Sequence, residues 1–191
     1  AIVRLKLCPA DRFILFFGFI RQYKGLDLLL RAMAEQCVRD LGVKLIVAGE
    51  FYESEKPYFD LIHQLGIGDR ISFHSHFISD DEVKYYFSAA SLVVQPYRSA
   101  TQSGVTQVAY HFNKPMIVTN VGGLAEIVPD GVCGYVVEPD PAEISVAICD
   151  FFRGEENRFE GGIQEKKKEY SWDRLTEAIR SLAREVQKSR Q

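Results

Sequence analysis

The most informative part of the chain is residues 97–126, YRSATQSGVTQVAYHFNKPMIVTNVGGLAE. It contains the end of one strand, a turn of small residues, a helix and a further strand, and the first three in this order are typical of an anion-binding site. An apolar strand predicted over residues 92–97 ends here, small and hydroxyl residues follow, and an apolar helix begins near Gly104. The first N–H groups of such a helix have no partner, and its dipole favours negative charge. Gly104 lets a ligand approach the backbone, while Ser103 and Thr106 add hydroxyl groups. We expect a phosphate-bearing ligand at this turn.

The elements on either side of this stretch predict an α/β fold. Strands alternate with helices, which requires crossover connections and therefore a parallel sheet with helices on both faces. The predicted strands are residues 12–20, 43–49, 71–78, 92–97, 115–120 and 134–137. The predicted helices are residues 25–39, residues 56–65, one from Asp80 or Asp81, one from Gly104, one from Pro141, and an amphipathic one over residues 172–186.

The composition of the chain limits the classes of protein to which it can belong. Its 191 residues fit one domain, and a net charge of -3 argues against a nucleic-acid partner. No apolar run approaches the length of a transmembrane helix. The four cysteines lack the spacing of metal ligands, which favours free thiols in a reducing compartment. We expect a cytoplasmic protein, with peripheral attachment to the inner face of the membrane as the alternative.

Two loops are expected to meet at the ligand site. If the sheet is doubly wound in the order 3-2-1-4-5-6, the order reverses between strands one and four, and ligands bind there, outside the carboxyl ends. The first loop is residues 18–25, GFIRQYKG, and the second loop is residues 97–104. Arg21 and Lys24 lie beside flexible Gly18 and Gly25, and two cations before a helix suit a diphosphate. The alternative is a solvated turn with surface cations.

Several segments resemble the retaining glycosyltransferases of the GT-B fold, in the group called GT4 (glycosyl transferases group 1). They are GFIRQYKGLDLLLRA, LIVAGE, SLVVQPY and NKPMIVTNVGGLAEIVPDGVCGYVVEPD. The last is similar to the family's G-x-P-V-I…G-G-x-x-E-x-V-x-D-G-x-x-G block. The resemblance covers residues 13–172. It implies the C-terminal, donor-binding half of an enzyme that transfers a sugar from a nucleotide-diphosphate sugar to an acceptor hydroxyl, with retention and without a metal or other cofactor.

The resemblance also implies a domain division. Residues 1–11 are expected to be a linker from an N-terminal, acceptor-binding domain, and residues 12–170 to be a Rossmann-like domain that binds the nucleotide sugar. Residues 171–191 would form a C-terminal amphipathic helix. Because the acceptor-binding half would lie outside this sequence, we expect the fragment to bind a donor and to be inactive alone.

Site residues can be carried over from the family only in part. Lys24 matches the lysine that contacts the donor diphosphate, but the partner arginine of the family falls at Phe19, which leaves Arg21 as a substitute. Residues 104–107, GVTQ, are similar to the GLTQ of bacterial glycogen synthases. That similarity implies phosphate contacts from the start of the helix. The expected donor-binding set is Gly18, Gly25, Gln102, Ser103, Gly104, Val105, Thr106, Gln107, Gly122 and Gly123.

The family's pair of glutamates, spaced E-x7-E, is absent. Thr101 and Ala109 occupy those positions. We expect Gln102 and Gln107 to supply neutral hydrogen bonds instead. Glu126 either caps a helix or reaches the donor sugar, and in the second case it joins Lys24 and Arg21 as a catalytic residue.

Three alternatives remain open at this point. His74 and His76 share a strand face, but two histidines without a third ligand are more typical of ordinary strand residues than of a metal site. The missing glutamates favour a non-catalytic module that binds a nucleotide sugar. A nucleotide-sugar epimerase would share the architecture, although the GG-x-x-E block and the KG loop argue against it. The main prediction is a hexosyltransferase-type enzyme.

Overall fold

A computed structural model describes residues 1–154, 157–170 and 180. The amphipathic helix predicted over residues 172–186, and with it the predicted C-terminal segment 171–191, lies outside the described residues except for residue 180. Residues 1–11 contain no helix or strand, and Ile2, Leu5 and Leu7 in this segment pack against the core. The division between linker and domain stays a prediction.

Six strands form one parallel sheet in the order β3-β2-β1-β4-β5-β6, as predicted. The central strand β1 has neighbours on both sides, since Leu15 pairs with Ile46 of β2 and with Val93 of β4. The strands are β1 Phe13–Phe17, β2 Lys44–Ala48, β3 Ile71–His74, β4 Leu92–Gln95, β5 Met116–Thr119 and β6 Gly134–Val137. The predicted order reversal between β1 and β4 is therefore confirmed.

Helices cover both faces of the sheet, which explains why the central strands are apolar along their whole length. Helices α1, α2, α3 and α7 pack together, whereas α5 packs with α8 and α4 contacts β1. The helices are α1 Leu26–Ala34, α2 Gln36–Asp40, α3 Lys56–Leu65, α4 Asp80–Ala89, α5 Gly104–His111, α6 Leu124–Ile127, α7 Pro141–Arg153 and α8 Glu160–Glu169.

The helix predicted over residues 25–39 is broken, and that prediction was wrong in this detail. Glu35 has extended backbone angles (φ -60°, ψ 140°) between α1 and α2. The buried guanidinium of Arg70 donates hydrogen bonds to the carbonyls of Met33, Val38 and Val43, at distances of 3.1, 2.9 and 2.7 Å. This one side chain therefore joins the end of α1, helix α2 and the residue before β2.

Two strands end at least three residues earlier than the hydrophobic pattern indicated. The first ends at Phe17 and not at residue 20, because the backbone turns at Gly18 (φ 94°) and Ile20 forms an isolated bridge with Phe51. The third ends at His74 and not at residue 78. In both cases the residues after the strand belong to the loops at the carboxyl edge of the sheet.

Candidate donor site

A cavity of about 540 Å³ opens at the carboxyl ends of β1 and β4, where the strand order reverses. Both predicted loops contribute to it, as expected for a doubly wound sheet. Its lining comes from two segments of the chain. They are Gly18, Phe19, Tyr23 and Lys24 from the first loop, and Tyr97, Ser99, Ala100, Thr101, Gln102, Ser103, Gly104 and Val105 from the second loop and the start of α5.

Two glycines shape the first loop, and one of them brings it close to the second loop. A Cβ atom on Gly25 would lie 1.9 Å from the carbonyl oxygen of Pro96, and the φ of Gly25 is +67°. A Cβ atom on Gly18 would lie 2.9 Å from the Nζ of Lys24. Gly25 therefore allows the loops to touch, and Gly18 leaves room for the lysine ammonium.

Lys24 is a buried cation at the wall of the cavity. It belongs to a short 3-10 turn, Gln22–Lys24, and only 8% of its surface is exposed. Within the described part of the chain its ammonium forms no ion pair with a carboxylate. Burial and, to a smaller extent, the charge of Arg21 lower the pKa of Lys24 to about 8. A desolvated cation of this kind is a strong anion-binding group.

Tyr97 supports Lys24 from the second loop. The Lys24 Nζ lies 5.6 Å from the centre of the Tyr97 ring, within the range of a cation–π interaction. The Tyr97 hydroxyl lies 3.3 Å from the Oγ of Ser103, and burial raises the pKa of this phenol to about 12. Tyr97 is therefore neutral at physiological pH. The sequence pattern places Tyr97 at the end of a strand and gives it no role in the site. Its position at the point where the strand order reverses is the feature from which such a role could have been inferred.

The start of α5 supplies the second anion-binding feature. Ser103 is the N-cap residue, and the first turn of the helix contains no acidic side chain. In the described residues, the N–H groups of Gly104 and Val105 donate no hydrogen bond to a backbone carbonyl. They border the cavity together with Gln102 and Ser103. The site thus joins an unneutralised ammonium to an open helix N-terminus, a combination that suits a phosphate.

Thr106 lies beneath the cavity. Its hydroxyl is fully buried and exchanges hydrogen bonds with the side-chain amide of Gln95, at 3.1 Å from Nε2 and 3.3 Å from Oε1. This contact anchors α5 to β4. The N–H of Thr106 donates to the carbonyl of Ser103 at 3.2 Å, so both its hydroxyl and its N–H have partners within the protein, and its contact with a phosphate stays a prediction.

Arg21 and Glu126 do not line the cavity. The guanidinium of Arg21 lies 4.0 Å from the centre of the Tyr52 ring. Glu126 is exposed on the short helix α6. Their proposed contacts with a donor stay predictions, as does that of exposed Gln107.

Gly122 and Gly123 lie directly against the backbone of the second loop. A Cβ atom on Gly122 would lie 1.5 Å from the carbonyl oxygen of Ala100, and the N–H of Gly123 donates to the carbonyl of Thr101 at 3.2 Å. Thr101 lines the cavity, whereas Ala109, at the other family glutamate position, is fully buried. The described contacts give Gly122 and Gly123 a role in shaping the loop.

The fold is that of a Rossmann-like domain, with a cavity at the point of order reversal. The chain belongs to the family of glycosyl transferases group 1, which it matches over residues 11–153. It is 32% identical over 180 residues to an uncharacterized glycosyltransferase of Methanocaldococcus jannaschii, a match that covers 91% of this chain and 48% of that protein. The resemblance to this family is thus confirmed.

Solved structures show the same fold. Sucrose-phosphate synthase from Thermosynechococcus elongatus superposes with a TM-score of 0.83 at 22% identity, over 98% of this chain and 48% of that one. HepE of Anabaena, in complex with UDP and glucose, gives a TM-score of 0.76 at 20% identity, over 96% and 51%. The chain spans about half the length of these proteins and of the archaeal relative.

None of the helices in the described part of the chain is both long and apolar enough to cross a membrane. His74 has Ser72 as a neighbour, at 3.1 Å between Nε2 and Oγ, and stacks edge-on against Tyr86. Among the same residues no three His, Cys, Asp or Glu side chains are grouped as metal ligands.

Proposed function

We propose that this chain is the donor-binding domain of a glycosyltransferase that moves a hexose from a nucleotide-diphosphate sugar to an acceptor hydroxyl, with retention at the anomeric carbon. One observation carries the proposal: the buried ammonium of Lys24 faces the same cavity as the open N-terminus of α5. Membership of the family of glycosyl transferases group 1 supports the reaction class.

The chemistry of this reaction needs positive charge beside the leaving group. When the sugar–phosphate bond breaks, negative charge grows on the diphosphate oxygens. Lys24 and the N–H groups of Gly104 and Val105 would bind those oxygens more strongly in the transition state than in the ground state. Because these groups are already held in place, little reorganisation accompanies the step.

We further propose that the diphosphate charge is met by the protein and not by a metal ion or another cofactor. Lys24 supplies a full charge in a desolvated position, and α5 supplies a dipole aimed at the cavity. Nucleoside-diphosphate affinity should then be the same in magnesium and in EDTA. A tenfold or greater rise with magnesium would contradict this part of the proposal.

The acceptor would be bound by a second domain, which would complete the site. The lengths of the related proteins, about twice that of this chain, support this division. On this proposal the chain binds a donor and does not turn over alone, and the complete protein acts in the cytoplasm or at the inner face of the membrane.

A non-catalytic module that holds a nucleotide sugar is the second candidate. Thr101 and Ala109 in place of the family glutamates favour it, because neither can hold a sugar or ribose hydroxyl by a charged hydrogen bond.

The experiment has two stages. Calorimetry of this chain with UDP, GDP and ADP, and then with the sugar nucleotides of the base that binds, tests donor binding. Incubation of the full-length protein with the selected donor and acceptor candidates, with the anomeric configuration of the product determined by NMR, tests transfer and retention. Binding without transfer would select the module, and no binding of any of the nucleotides would overturn both candidates.

A further inference from the structure

An ion pair outside the donor cavity connects the second loop to α1. Arg98 directs both terminal nitrogens at both carboxylate oxygens of Asp27, with distances of 2.7 Å from Nη1 to Oδ1 and 2.7 Å from Nη2 to Oδ2. The two residues are 71 positions apart in the sequence. Burial acts to raise the pKa of Asp27, but the hydrogen bonds and charge of Arg98 outweigh it and keep the pKa below its usual value.

Backbone contacts continue this connection toward Lys24. The N–H of Arg98 donates to the carbonyl of Tyr23 at 2.7 Å, and its Nη1 also reaches the carbonyl of Gln22 at 3.4 Å. Gln22 and Tyr23 belong to the same 3-10 turn as Lys24. Arg98 therefore joins the second loop to the turn that carries the buried cation.

The Asp27–Arg98 ion pair can influence a bound donor only through the hydrogen bonds that connect it to the turn containing Lys24. Neither Asp27 nor Arg98 lines the donor cavity; both border a separate hollow of about 400 Å³ beside α3. Two residues next to Arg98 do line the donor cavity: Tyr97 precedes it in the chain, and Tyr23 accepts a hydrogen bond from its N–H. The ring centres of these two tyrosines are 6.2 Å apart.

We propose that Asp27 and Arg98 are positioning residues, whose bidentate ion pair fixes the first loop against the second and so holds the Lys24 ammonium at the place of the donor diphosphate. The identity of the ligand rests on the proposed function, whereas the fixing of Lys24 does not. A bidentate pair suits this task, because the rigid fork of an arginine matches a carboxylate in one relative orientation, which a lysine cannot do.

The first test needs no ligand. Arg98→Lys keeps the charge and removes the fork, so Lys24 gains access to water. An NMR titration of the lysine side chains, with the Lys24 signal assigned from Lys24→Arg, should show the Lys24 pKa rising from about 8 toward the value of a solvated lysine, by about one unit or more. Asp27→Glu, which also preserves charge, should give the same direction and serves if Arg98→Lys does not fold.

The control breaks a comparable ion pair elsewhere. Lys44 and Asp11 lie 2.6 Å apart, with exposed side-chain fractions of 36% and 21% against 39% and 32% for Arg98 and Asp27. Asp11→Asn should leave the Lys24 pKa unchanged. A Lys24 pKa that stays at its parent value in both Arg98→Lys and Asp27→Glu would overturn the proposal.

The second test uses UDP, or whichever of UDP, GDP and ADP binds the parent, in a thermodynamic cycle. Arg98→Lys should weaken binding roughly threefold to tenfold in the parent, but less than about twofold when Lys24→Ala is already present, because both changes act on the same group. Equal losses in the two backgrounds would contradict positioning through Lys24. If the parent binds none of these nucleotides, the proposed function fails and the Lys24 titration still decides this inference.

Discussion

Two lysines at opposite edges of the sheet differ in whether a carboxylate of the protein pairs with them. At the amino edge, Lys44 at the start of β2 forms an ion pair with Asp11, and the resulting hydrogen bond raises the pKa of Lys44. At the carboxyl edge, Lys24 is buried without a carboxylate partner among the described residues, and its pKa falls to about 8. The charge of Lys44 is met by a carboxylate of the protein, whereas the buried charge of Lys24 faces the cavity and is available for an anion.

The largest expected effect comes from a substitution at the amino edge, and it should change the stability of the fold without changing ligand binding. Replacing Arg70 with Met removes the donor for three carbonyls that bind its buried guanidinium. The free energy of unfolding, measured with urea, should fall by roughly 3–5 kcal/mol. Nucleoside-diphosphate affinity at low temperature should stay within twofold of the parent value, and a tenfold loss would show that the two edges are not independent.

Two glycines allow the cost of a lost contact between the loops to be measured apart from the cost of a strained backbone conformation. Gly25 and Gly42 have nearly the same φ, +67° and +65°, but a Cβ atom would meet the Pro96 carbonyl at Gly25 and nothing within 4 Å at Gly42. Gly42→Ala should cost about 1 kcal/mol of unfolding free energy, and Gly25→Ala about 3 kcal/mol because the loops must also separate. Only Gly25→Ala should weaken diphosphate binding. Equal costs would mean that the contact with Pro96 contributes nothing.

The depressed pKa of Lys24 predicts how binding depends on pH. The free ammonium loses its proton as the pH rises through about 8, so diphosphate affinity should fall above that pH by up to about tenfold per unit. In the ligand-free chain the unfolded state binds the extra proton between pH 8 and 10.5. The parent should therefore gain stability relative to Lys24→Met as the pH rises through that window. An affinity that is flat from pH 7 to 9.5 would place Lys24 outside the site.

The smallest expected effect is on sugar-nucleotide binding and concerns two glutamines, Gln102 and Gln107, to which the sequence pattern assigns the same role. Gln102 lines the cavity, while Gln107 is exposed on α5 and does not. Gln102→Ala should weaken sugar-nucleotide binding by about 1 kcal/mol, the value of a neutral hydrogen bond, and Gln107→Ala should leave it unchanged. The reverse order in calorimetry would show that a bound donor extends along the outside of the helix.

The strand order and the place of the site could be predicted from sequence, because both follow from local patterns. Alternating apolar strands and amphipathic helices require a parallel sheet, and the loops after β1 and β4 must then meet. Lys24 could be selected because it precedes a helix in one of those two loops.

Side-chain direction could not be predicted in the same way, because it depends on partners that are distant in sequence. The hydroxyl of Thr106 points to Gln95, 11 residues earlier, and the carbonyl of Met33, close to the break before α2, accepts a hydrogen bond from Arg70, 37 residues away. The charge of Arg21 and its place in the first loop predict a diphosphate contact, but its guanidinium lies against the ring of Tyr52. Local spacing contains no signal for such contacts.

The most direct test of the donor site compares two lysines whose pKa values are both lowered by burial. Lys24 faces the cavity, while Lys114 lies just before β5 at the opposite edge of the sheet. In calorimetry at pH 7, Lys24→Ala should weaken nucleoside-diphosphate binding by about 1.5–3 kcal/mol, the range for a charge-assisted hydrogen bond, and Lys114→Ala should leave it unchanged. Parent-like affinity in Lys24→Ala, or an equal loss in both variants, would contradict a diphosphate site at the carboxyl edge.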